Sequence, residues 1–286
     1  MDTDSITIQS IKRIVYIISR TVLRFYWFLL GGRKIRVFGA QYRFLSTTTF
    51  PSYRTLQFPK KEIFSSIVRY GDYVQMHAAY RFISELQHAP VIVDVGAHHG
   101  SYSIVLGKLV QQKKGKLIAI EPHPHSFAIL KKNVQLNLLE DTVVCENIAV
   151  MEQEGHTLFT DSADQSYATS SLQKKKFSVT TTPLSALIKK HSLPHIDMLI
   201  IDVEGAELHV LHSIDWERTT VNTIYCELHP YNWKLFGFDG DAMSEFLRVH
   251  NFRCFDMYFK EHTEFRENLY IGPTIFVRQS TPTKRL

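Results

Sequence analysis

Residues Val91 to Ser103 read V-I-V-D-V-G-A-H-H-G-S-Y-S, an apolar run containing Asp94 that is followed by Gly96 and Gly100. The run predicts a buried strand, and a helix is predicted to begin near Ser101, directly after the second glycine. Small residues at such a turn let the backbone approach a ligand closely, and the helix N-terminus offers N–H groups that are not used within the helix. Asp94 then restricts which ligand the turn can accept.

The spacing of this turn is D-x-G-x-x-x-G, whereas a dinucleotide-binding turn has G-x-G-x-x-G. Asp94 stands two positions before Gly96, and its carboxylate would repel a pyrophosphate. The same carboxylate would attract an ammonium or sulfonium group. The turn therefore favours S-adenosylmethionine as the cofactor, and a nicotinamide-dependent oxidoreductase is the less favoured alternative.

Glu121 supports a nucleoside ligand. It ends the next apolar run, Lys116–Ile120, and Pro122 follows it. A carboxylate at the end of the second strand of such a fold is placed to accept hydrogen bonds from both ribose hydroxyls. Together with the glycine turn, Glu121 predicts a nucleoside site at the carboxyl edge of the sheet.

Short apolar runs alternate with helix-like segments along most of the chain. The runs are Val91–Val95, Lys116–Ile120, Val143–Val150, Ile196–Ile201 and Val221–Cys226. The helix-like segments are residues 61–88, with a break at Gly71, Tyr102–Gln111, His125–Leu136, Pro183–Lys190 and Ala206–His212. This alternation predicts an α/β fold with a parallel sheet covered on both faces. Phe252–Met257 and Tyr270–Val277 have no helix between them and predict a C-terminal hairpin with one antiparallel strand.

A second acidic segment, Asp202-Val203-Glu204-Gly205-Ala206-Glu207, follows the run Ile196–Ile201. Carboxylates at the end of a buried strand are costly unless they serve a site. The segments VDVGAHHGSYS, AIEPHP, ENIAV, SSL and IDVEGAELHVL, in this order between residues 85 and 278, resemble the FkbM family of S-adenosylmethionine-dependent methyltransferases. The resemblance implies a class I methyltransferase (Rossmann-like) fold with a seven-stranded, mostly parallel sheet. It also implies O-methylation of a hydroxyl, on a saccharide of a glycan or glycolipid or on a natural product.

The resemblance also assigns cofactor-binding residues by position. Asp94, Gly96 and Gly100 would contact the methionine end, with Ala97 and His98 in the same loop, and Glu121 would bind the ribose. Asn147 and Ala149, at the end of the third run, would lie near the adenine. Asp202, which the sequence also places at the cofactor site, could either orient the cofactor amine or bind a metal. The chain departs from the family pattern at three positions, having His98 in place of Asn, Ile200 in place of Lys and Ser185 in place of Asp. The departures at Ile200 and Ser185 leave open a non-catalytic methyltransferase fold that makes membrane or partner contacts.

A hydroxyl acceptor must lose its proton during methyl transfer, so a general base is expected. The candidate catalytic residues are Asp202, Glu204, Glu227 and His229, which all follow or end neighbouring strands. Asp202, Glu227 and His229 are also suitable ligands for magnesium, but the chain has no H-E-x-x-H or C-x-x-C pattern, so no metal is predicted. Aromatic residues after the fifth run, Tyr231, Trp233, Phe236 and Phe238, form either a wall for a sugar acceptor or a small local core.

The N-terminal segment is predicted to be separate from the methyltransferase domain, with residues 1–60 as an extension and residues 61–286 as the domain. Within residues 6–30 the apolar residues share one helical face and Arg13, Arg20 and Arg24 the opposite face. Too many charges interrupt this segment for a membrane-spanning helix. It is predicted either to pack on the protein's own core or a second subunit, or to lie at a membrane surface.

The charge and the cysteines of the chain give information about its partners and its compartment. The chain of 286 residues has a net charge of +5, and its basic residues are scattered apart from Lys131-Lys132 and Lys174-Lys175-Lys176. This is a weak signal for nucleic-acid binding, and no nucleic-acid partner is predicted. Its three cysteines, Cys145, Cys226 and Cys254, each lie in an apolar run and are predicted to be reduced thiols in a cytoplasmic protein.

Overall fold

The computed structural model describes residues 33–37, 40–44, 67–160, 167–168, 176–193, 195–266 and 271–279. The predicted amphipathic helix at residues 6–30 lies outside these residues, so both its membrane contact and the domain boundary near residue 60 stay predictions. None of the helices in the described part of the chain is long and apolar enough to cross a membrane.

The described residues contain fourteen strands and six α-helices. The strands are, in chain order, β1 Arg33–Val37, β2 Ala40–Phe44, β3 Val91–Val95, β4 Lys116–Ile120, β5 Val143–Glu146, β6 Ala149–Val150, β7 Gly155–Thr160, β8 Tyr167–Ala168, β9 Lys176–Thr182, β10 Ile196–Ile201, β11 Val221–Leu228, β12 Phe252–Asp256, β13 Glu261–His262 and β14 Gly272–Arg278. The helices are α1 Ile67–Glu85, α2 Ser101–Gln112, α3 Pro124–Leu136, α4 Leu184–Lys190, α5 Glu207–His212 and α6 Gly240–Val249, with a 3₁₀ helix at Pro230–Phe236.

The main sheet has eight strands in the order β13-β12-β14-β11-β10-β3-β4-β5. The five strands from β11 to β5 are parallel, and β14 pairs antiparallel with both β11 and β12. The predicted parallel sheet and C-terminal hairpin are therefore confirmed, but the predicted count of seven strands is wrong. The additional strand is β13, a two-residue edge strand formed because Asp256 accepts the N–H groups of Tyr258 and Lys260 and turns the chain back on β12.

The register of the parallel strands aligns the ends that carry the polar residues. Val95 pairs with Ile120 of β4 and with Ile201 of β10, Ile120 pairs with Glu146, and Ile201 pairs with Cys226. The residues one position further along therefore form a row at the carboxyl edge of the sheet, and they are Gly96, Glu121, Asn147, Asp202 and Glu227. Ligands of open α/β sheets bind at this edge, where the strand order reverses between β3 and β10.

The predicted helices are present, with one correction. Helix α1 runs without interruption through Gly71, where the sequence predicted a break. Its later turns pack on α2, where Met76, Ala79 and Ile83 share a buried cluster with Ile104 and Val105. Glycine inside a helix costs only about 1 kcal/mol relative to alanine, so burial of this face is sufficient to maintain the helix.

The predicted run Val143–Val150 is divided between two sheets. β5 lies at the edge of the main sheet, while β6 pairs with β9 in a second sheet of order β6-β9-β7-β8. Asn147 separates them, because its side-chain amide donates hydrogen bonds to the carbonyl groups of Glu121 and Pro122. The side chain thus bends the chain away from the main sheet immediately next to Glu121.

The cysteine prediction agrees with the structure. All three thiols are free, with Cys226 and Cys254 buried and Cys145 partly buried. Tyr42 and Phe44 of β2 are almost completely buried in the same cluster as Met76, so the short β1–β2 hairpin contributes to the core.

Candidate functional site

The turn after β3 is held together mainly by the protein's own backbone. The N–H groups of Gly96 and Ala97 both donate to the carbonyl of Ile120, at 3.0 and 2.9 Å, and Gly100 donates to Ala97. Gly96 has φ +86°, and a Cβ atom added to it would lie 1.8 Å from the carbonyl oxygen of Asp202. The sequence suggested that Gly96 makes room for a ligand. In the structure glycine is required because the chain following β10 crosses directly over it.

Gly100 has a similar internal role. It is the N-cap residue of α2 with φ +86°, and an added Cβ atom would lie 2.6 Å from a methyl group of Leu130 on α3. His98, between the two glycines, also has a positive φ of 49°. The loop is therefore closely packed, and its predicted contacts with the methionine end of a cofactor stay predictions.

Asp94 is buried inside the turn. Its carboxylate accepts the hydroxyl of Ser103 in the first turn of α2, where the helix dipole also favours a negative charge. Burial nevertheless dominates and raises the pKa of Asp94 to about 6, against the lowering effect of the hydrogen bonds from Ser103. The residue thus fixes the start of α2, which is a structural role in addition to the predicted contact with the cofactor.

Glu121 connects the two loops that border the predicted nucleoside site. One carboxylate oxygen accepts the N–H of His98 at 2.7 Å, and the other accepts the N–H of His123 at 2.8 Å. Burial raises the pKa of Glu121 to about 7, although both backbone hydrogen bonds lower it. Each oxygen retains a second lone pair, so the geometry fits a ribose whose two hydroxyls donate to Glu121. Asn147 contacts Glu121 as described above, and Ala149 is buried at the start of β6.

The four candidate catalytic residues are brought together at the ends of β10 and β11. Nε2 of His229 lies 3.6 Å from Glu204 Oε2, 3.8 Å from Glu227 Oε1 and 4.0 Å from Asp202 Oδ1. The N–H of Asp202 donates to the carbonyl of Val95, at 2.9 Å, and this bond ties the cluster to the strand that carries the glycine turn. The acid–histidine cluster, defined as Asp202, Glu204, Glu227 and His229, therefore adjoins the turn.

Glu207 anchors this cluster, and the sequence analysis gave it no role. Its side chain is fully buried, and it accepts hydrogen bonds from His229 Nδ1 at 2.8 Å, Trp233 Nε1 at 2.7 Å and the N–H of Gly205 at 2.9 Å. The sequence did contain a signal for this role. Glu207 is the second glutamate of the D-V-E-G-A-E segment, and it stands at the start of a predicted helix.

His229 is positively charged at neutral pH in this arrangement. Burial alone would lower its pKa, but the hydrogen bond and charge of Glu207, with the charges of Asp202 and Glu204, raise the pKa of His229 to about 10. An imidazolium has no lone pair with which to accept a proton. Of the four predicted bases, His229 is therefore the least suited to that role while it carries this proton.

Glu204 has two unusual features. Its backbone adopts the left-handed conformation, with φ +54°, which non-glycine residues seldom adopt. Its Oε2 atom is buried and accepts no hydrogen bond from the described residues. Burial raises the pKa of Glu204, while the charge of His229 lowers it.

The predicted aromatic wall is only partly present. Trp233 is fully buried and donates to Glu207, so it belongs to the core and not to an acceptor surface. Phe236 packs over Gly205, and Phe238 contacts His209 and His212 on α5. Tyr231 is half exposed, and its ring stands edge-on to that of His229 with 5.8 Å between the ring centroids. Of these four aromatic residues, it is therefore the one that borders the cluster and remains accessible.

The strand order and the polar carboxyl edge define the α/β fold of class I methyltransferases. A family model described as the methyltransferase FkbM domain matches residues 94–254, and the chain belongs to this family. This membership confirms the predicted cofactor, S-adenosylmethionine.

Two curated proteins are similar to the chain. Methyltransferase sdnD of Sordaria araneosa is 26% identical over 170 residues, which cover 48% of this chain and 64% of that protein. Hexuronic acid methyltransferase AglP of Haloferax volcanii is 24% identical over 148 residues, which cover 51% of this chain and 59% of that protein. The matches thus span less than two thirds of the length of either relative.

Solved structures also resemble the chain. Methyltransferase FkbM from Methylobacillus flagellatus KT has 13% sequence identity and a TM-score of 0.41, with 81% of this chain and 61% of that chain covered. An O-methyltransferase from Bacillus cereus, solved in complex with SAH, has 12% sequence identity and a TM-score of 0.42. The match covers 81% of this chain and 89% of that chain.

Proposed function

We propose that the protein is an S-adenosylmethionine-dependent O-methyltransferase that acts on a hydroxyl group of a saccharide. The observation that carries this proposal is the continuous row at the carboxyl edge of the sheet. The glycine turn and Glu121 lie on one side of this row, the acid–histidine cluster lies on the other, and the close approach of Gly96 to Asp202 joins them. A nucleoside cofactor on the first side would place its reactive group near the cluster.

The cofactor supplies an electrophilic methyl group on its sulfonium when it is bound. The chain's own residues then have two tasks, which are to orient the acceptor hydroxyl in line with that methyl and to take up the hydroxyl proton. In such a transfer the methyl group would pass from the cofactor's sulfur to the acceptor oxygen, and a carboxylate of the cluster would take up the hydroxyl proton. Three carboxylates face the same point, so the site has ample capacity for one proton.

Two observations support a saccharide as the acceptor. The half-exposed ring of Tyr231 beside His229 offers a surface on which a sugar face can stack. One relative is named a hexuronic acid methyltransferase. The cationic His229 at the base of the cluster would also attract an acceptor that carries a carboxylate.

A direct assay tests the reaction. The full chain with methyl-labelled S-adenosylmethionine should transfer label to a hexuronic acid glycoside or a neutral hexoside, and S-adenosylhomocysteine should accumulate in equal amount. The control acceptors are the same glycosides with every hydroxyl already methylated, which should receive no label. Binding of the cofactor without transfer to any unblocked glycoside would contradict the saccharide assignment and would favour the non-catalytic alternative.

The pH dependence of cofactor binding tests the role of Glu121. Ionised Glu121 accepts stronger hydrogen bonds from the ribose hydroxyls than the protonated acid does. Because its pKa is about 7, the ionised fraction rises as the pH rises. We expect calorimetric affinity to increase by up to about tenfold between pH 6 and pH 8.

The matched variant is Glu121→Gln, which keeps the size of the side chain and cannot ionise. It should bind the cofactor about 1.5–3 kcal/mol more weakly than the wild type at pH 8, with little change between the two pH values. Denaturation midpoints measured at both pH values establish that the variant is folded. An affinity of the variant equal to that of the wild type would remove Glu121 from the site.

A further inference from the structure

The acid–histidine cluster brings three carboxylates and one imidazole nitrogen around the same point. Asp202, Glu204 and Glu227 face His229 from one side, and the buried Glu207 contacts it from the other. Buried carboxylates are retained in proteins when a cation or a hydrogen-bonding partner compensates them.

The position of His229 is typical of a metal ligand. Histidines that bind metals almost always donate their other ring N–H to a carboxylate, which fixes the orientation of the ring. Here Nδ1 is held by Glu207 at 2.8 Å, and Glu207 is itself fixed by Trp233 and Gly205. The side chain of His229 is only 3% exposed, and this arrangement directs Nε2 into the space between the three acids.

The separations in this space fit an ion better than they fit hydrogen bonds. The distances of 3.6 to 4.0 Å from Nε2 to the three carboxylate oxygens exceed the usual hydrogen-bond range. Ligand atoms around one cation, with bonds of about 2.1 Å, lie roughly 3.0–3.5 Å from one another. Ligand atoms of Asp202, Glu227 and His229 all lie within 4.8 Å of one another, so small side-chain rotations would complete the coordination.

We propose that Asp202, Glu227 and His229 bind one divalent cation at the carboxyl edge of the sheet, and that the ion displaces the proton from Nε2 of His229 when it binds. One imidazole nitrogen with two carboxylates is a mixed donor set that suits manganese(II) better than magnesium, which prefers oxygen ligands alone. This inference departs from the expectation of the sequence that no metal is bound. The half-exposed side chain of Asp202 gives the ion access from solvent.

The ion would also define the acceptor, and this part of the inference rests on the proposed function. An octahedral ion with three protein ligands has further positions open, and two oxygens on adjacent carbon atoms can occupy two of them. The acceptor class is therefore a saccharide that presents a vicinal diol or a hydroxyl next to a carboxylate. Coordination would hold the reacting oxygen in place and favour loss of its proton.

Manganese binding is measured without cofactor or acceptor. The chelator-treated full chain is titrated with Mn²⁺, and free Mn²⁺ is followed by its electron paramagnetic resonance signal. We expect one equivalent to bind to the wild type. Asp202→Asn and Glu227→Gln should each weaken binding by at least about tenfold, and both positions are accessible enough to tolerate an isosteric change.

A second cluster in the described part of the chain provides the matched control. His88, His195 and Asp197 also bring three possible ligands together, at the opposite edge of the sheet. Asp197 there already accepts hydrogen bonds from Val91, Asn222 and both histidines, which accounts for that group without an ion. The variant with His88→Ala and His195→Ala should bind Mn²⁺ like the wild type.

The outcomes separate this inference from the proposed function. No binding by the wild type, or wild-type affinity in both Asp202→Asn and Glu227→Gln, overturns the metal site. Loss of binding in the His88 and His195 variant alone places the ion at the opposite edge and also overturns it. Binding of Mn²⁺ with no transfer to any glycoside overturns the proposed function alone, and transfer without Mn²⁺ binding overturns the metal site alone.

Discussion

Gly96→Ala is expected to destabilise the protein by more than about 4 kcal/mol, a loss comparable to the whole stability of many domains. Two costs combine at this residue. A φ of +86° costs a residue with a side chain roughly 1–2 kcal/mol. In addition, the new methyl group would lie 1.8 Å from the carbonyl oxygen of Asp202, which is backbone and cannot rotate away. Relief would require the turn and the end of β10 to separate.

Gly237→Ala is the matched control for this substitution. Gly237 has a similar φ of +79° after the 3₁₀ helix, but an added Cβ atom would meet no atom within 4 Å. Gly237→Ala therefore tests the conformational cost without the steric clash, and its free energy of unfolding should fall by only about 1–2 kcal/mol. Urea denaturation followed by circular dichroism measures both variants. Equal losses in the two would mean that the approach of Asp202 to Gly96 is not a tight constraint.

The interpretation of Gly96 illustrates what sequence alone can and cannot provide. The spacing of Asp94, Gly96 and Gly100 located the turn correctly, because a strand, two glycines and a helix start are local features. The reason for Gly96 depends on Asp202, which is more than a hundred residues away in the chain and adjacent only after β3 and β10 have paired. Ligand space and backbone contact impose the same residue type, so the sequence could not separate them.

The strands of the main sheet could be predicted where burial requires a recognisable run of apolar residues. The central strands are continuous apolar runs because helices cover both faces, and their predicted bounds agree with the structure within two residues. β7 and β9 contain several threonines and few large apolar residues, and they had no such signal. β13 has two residues, and its pairing depends on the turn at Asp256.

The catalytic candidates were predicted as a set, but their relations were not. Strand ends alone indicated that Asp202, Glu204, Glu227 and His229 would meet at one edge. The charge of His229 depends on Glu207, which begins α5 on the other side of the ring and makes a contact 22 residues away in sequence. Only the folded chain therefore distinguishes a histidine that accepts a proton from one that carries a charge.

The largest expected effect on catalysis is that of Glu204→Gln. Glu204 Oε2 is buried beside His229 and accepts no hydrogen bond from the described residues, so an acceptor hydroxyl would be its natural partner. A base in this position contributes about 10²–10⁴ in rate. We expect Glu204→Gln to bind S-adenosylmethionine and Mn²⁺ like the wild type and to transfer methyl at least about a hundredfold more slowly in single-turnover measurements.

Comparison with the two neighbouring acids makes this assignment specific. Asp202→Asn and Glu227→Gln also slow transfer, but in them the loss should accompany weaker Mn²⁺ binding and should diminish at high Mn²⁺ concentration. Glu204→Gln should show no such recovery, because a glutamine amide cannot accept the proton at any concentration of the ion. A Glu204→Gln protein that transfers methyl at the wild-type rate would exclude Glu204 as the base. The proton would then pass to Asp202, to Glu227 or to solvent.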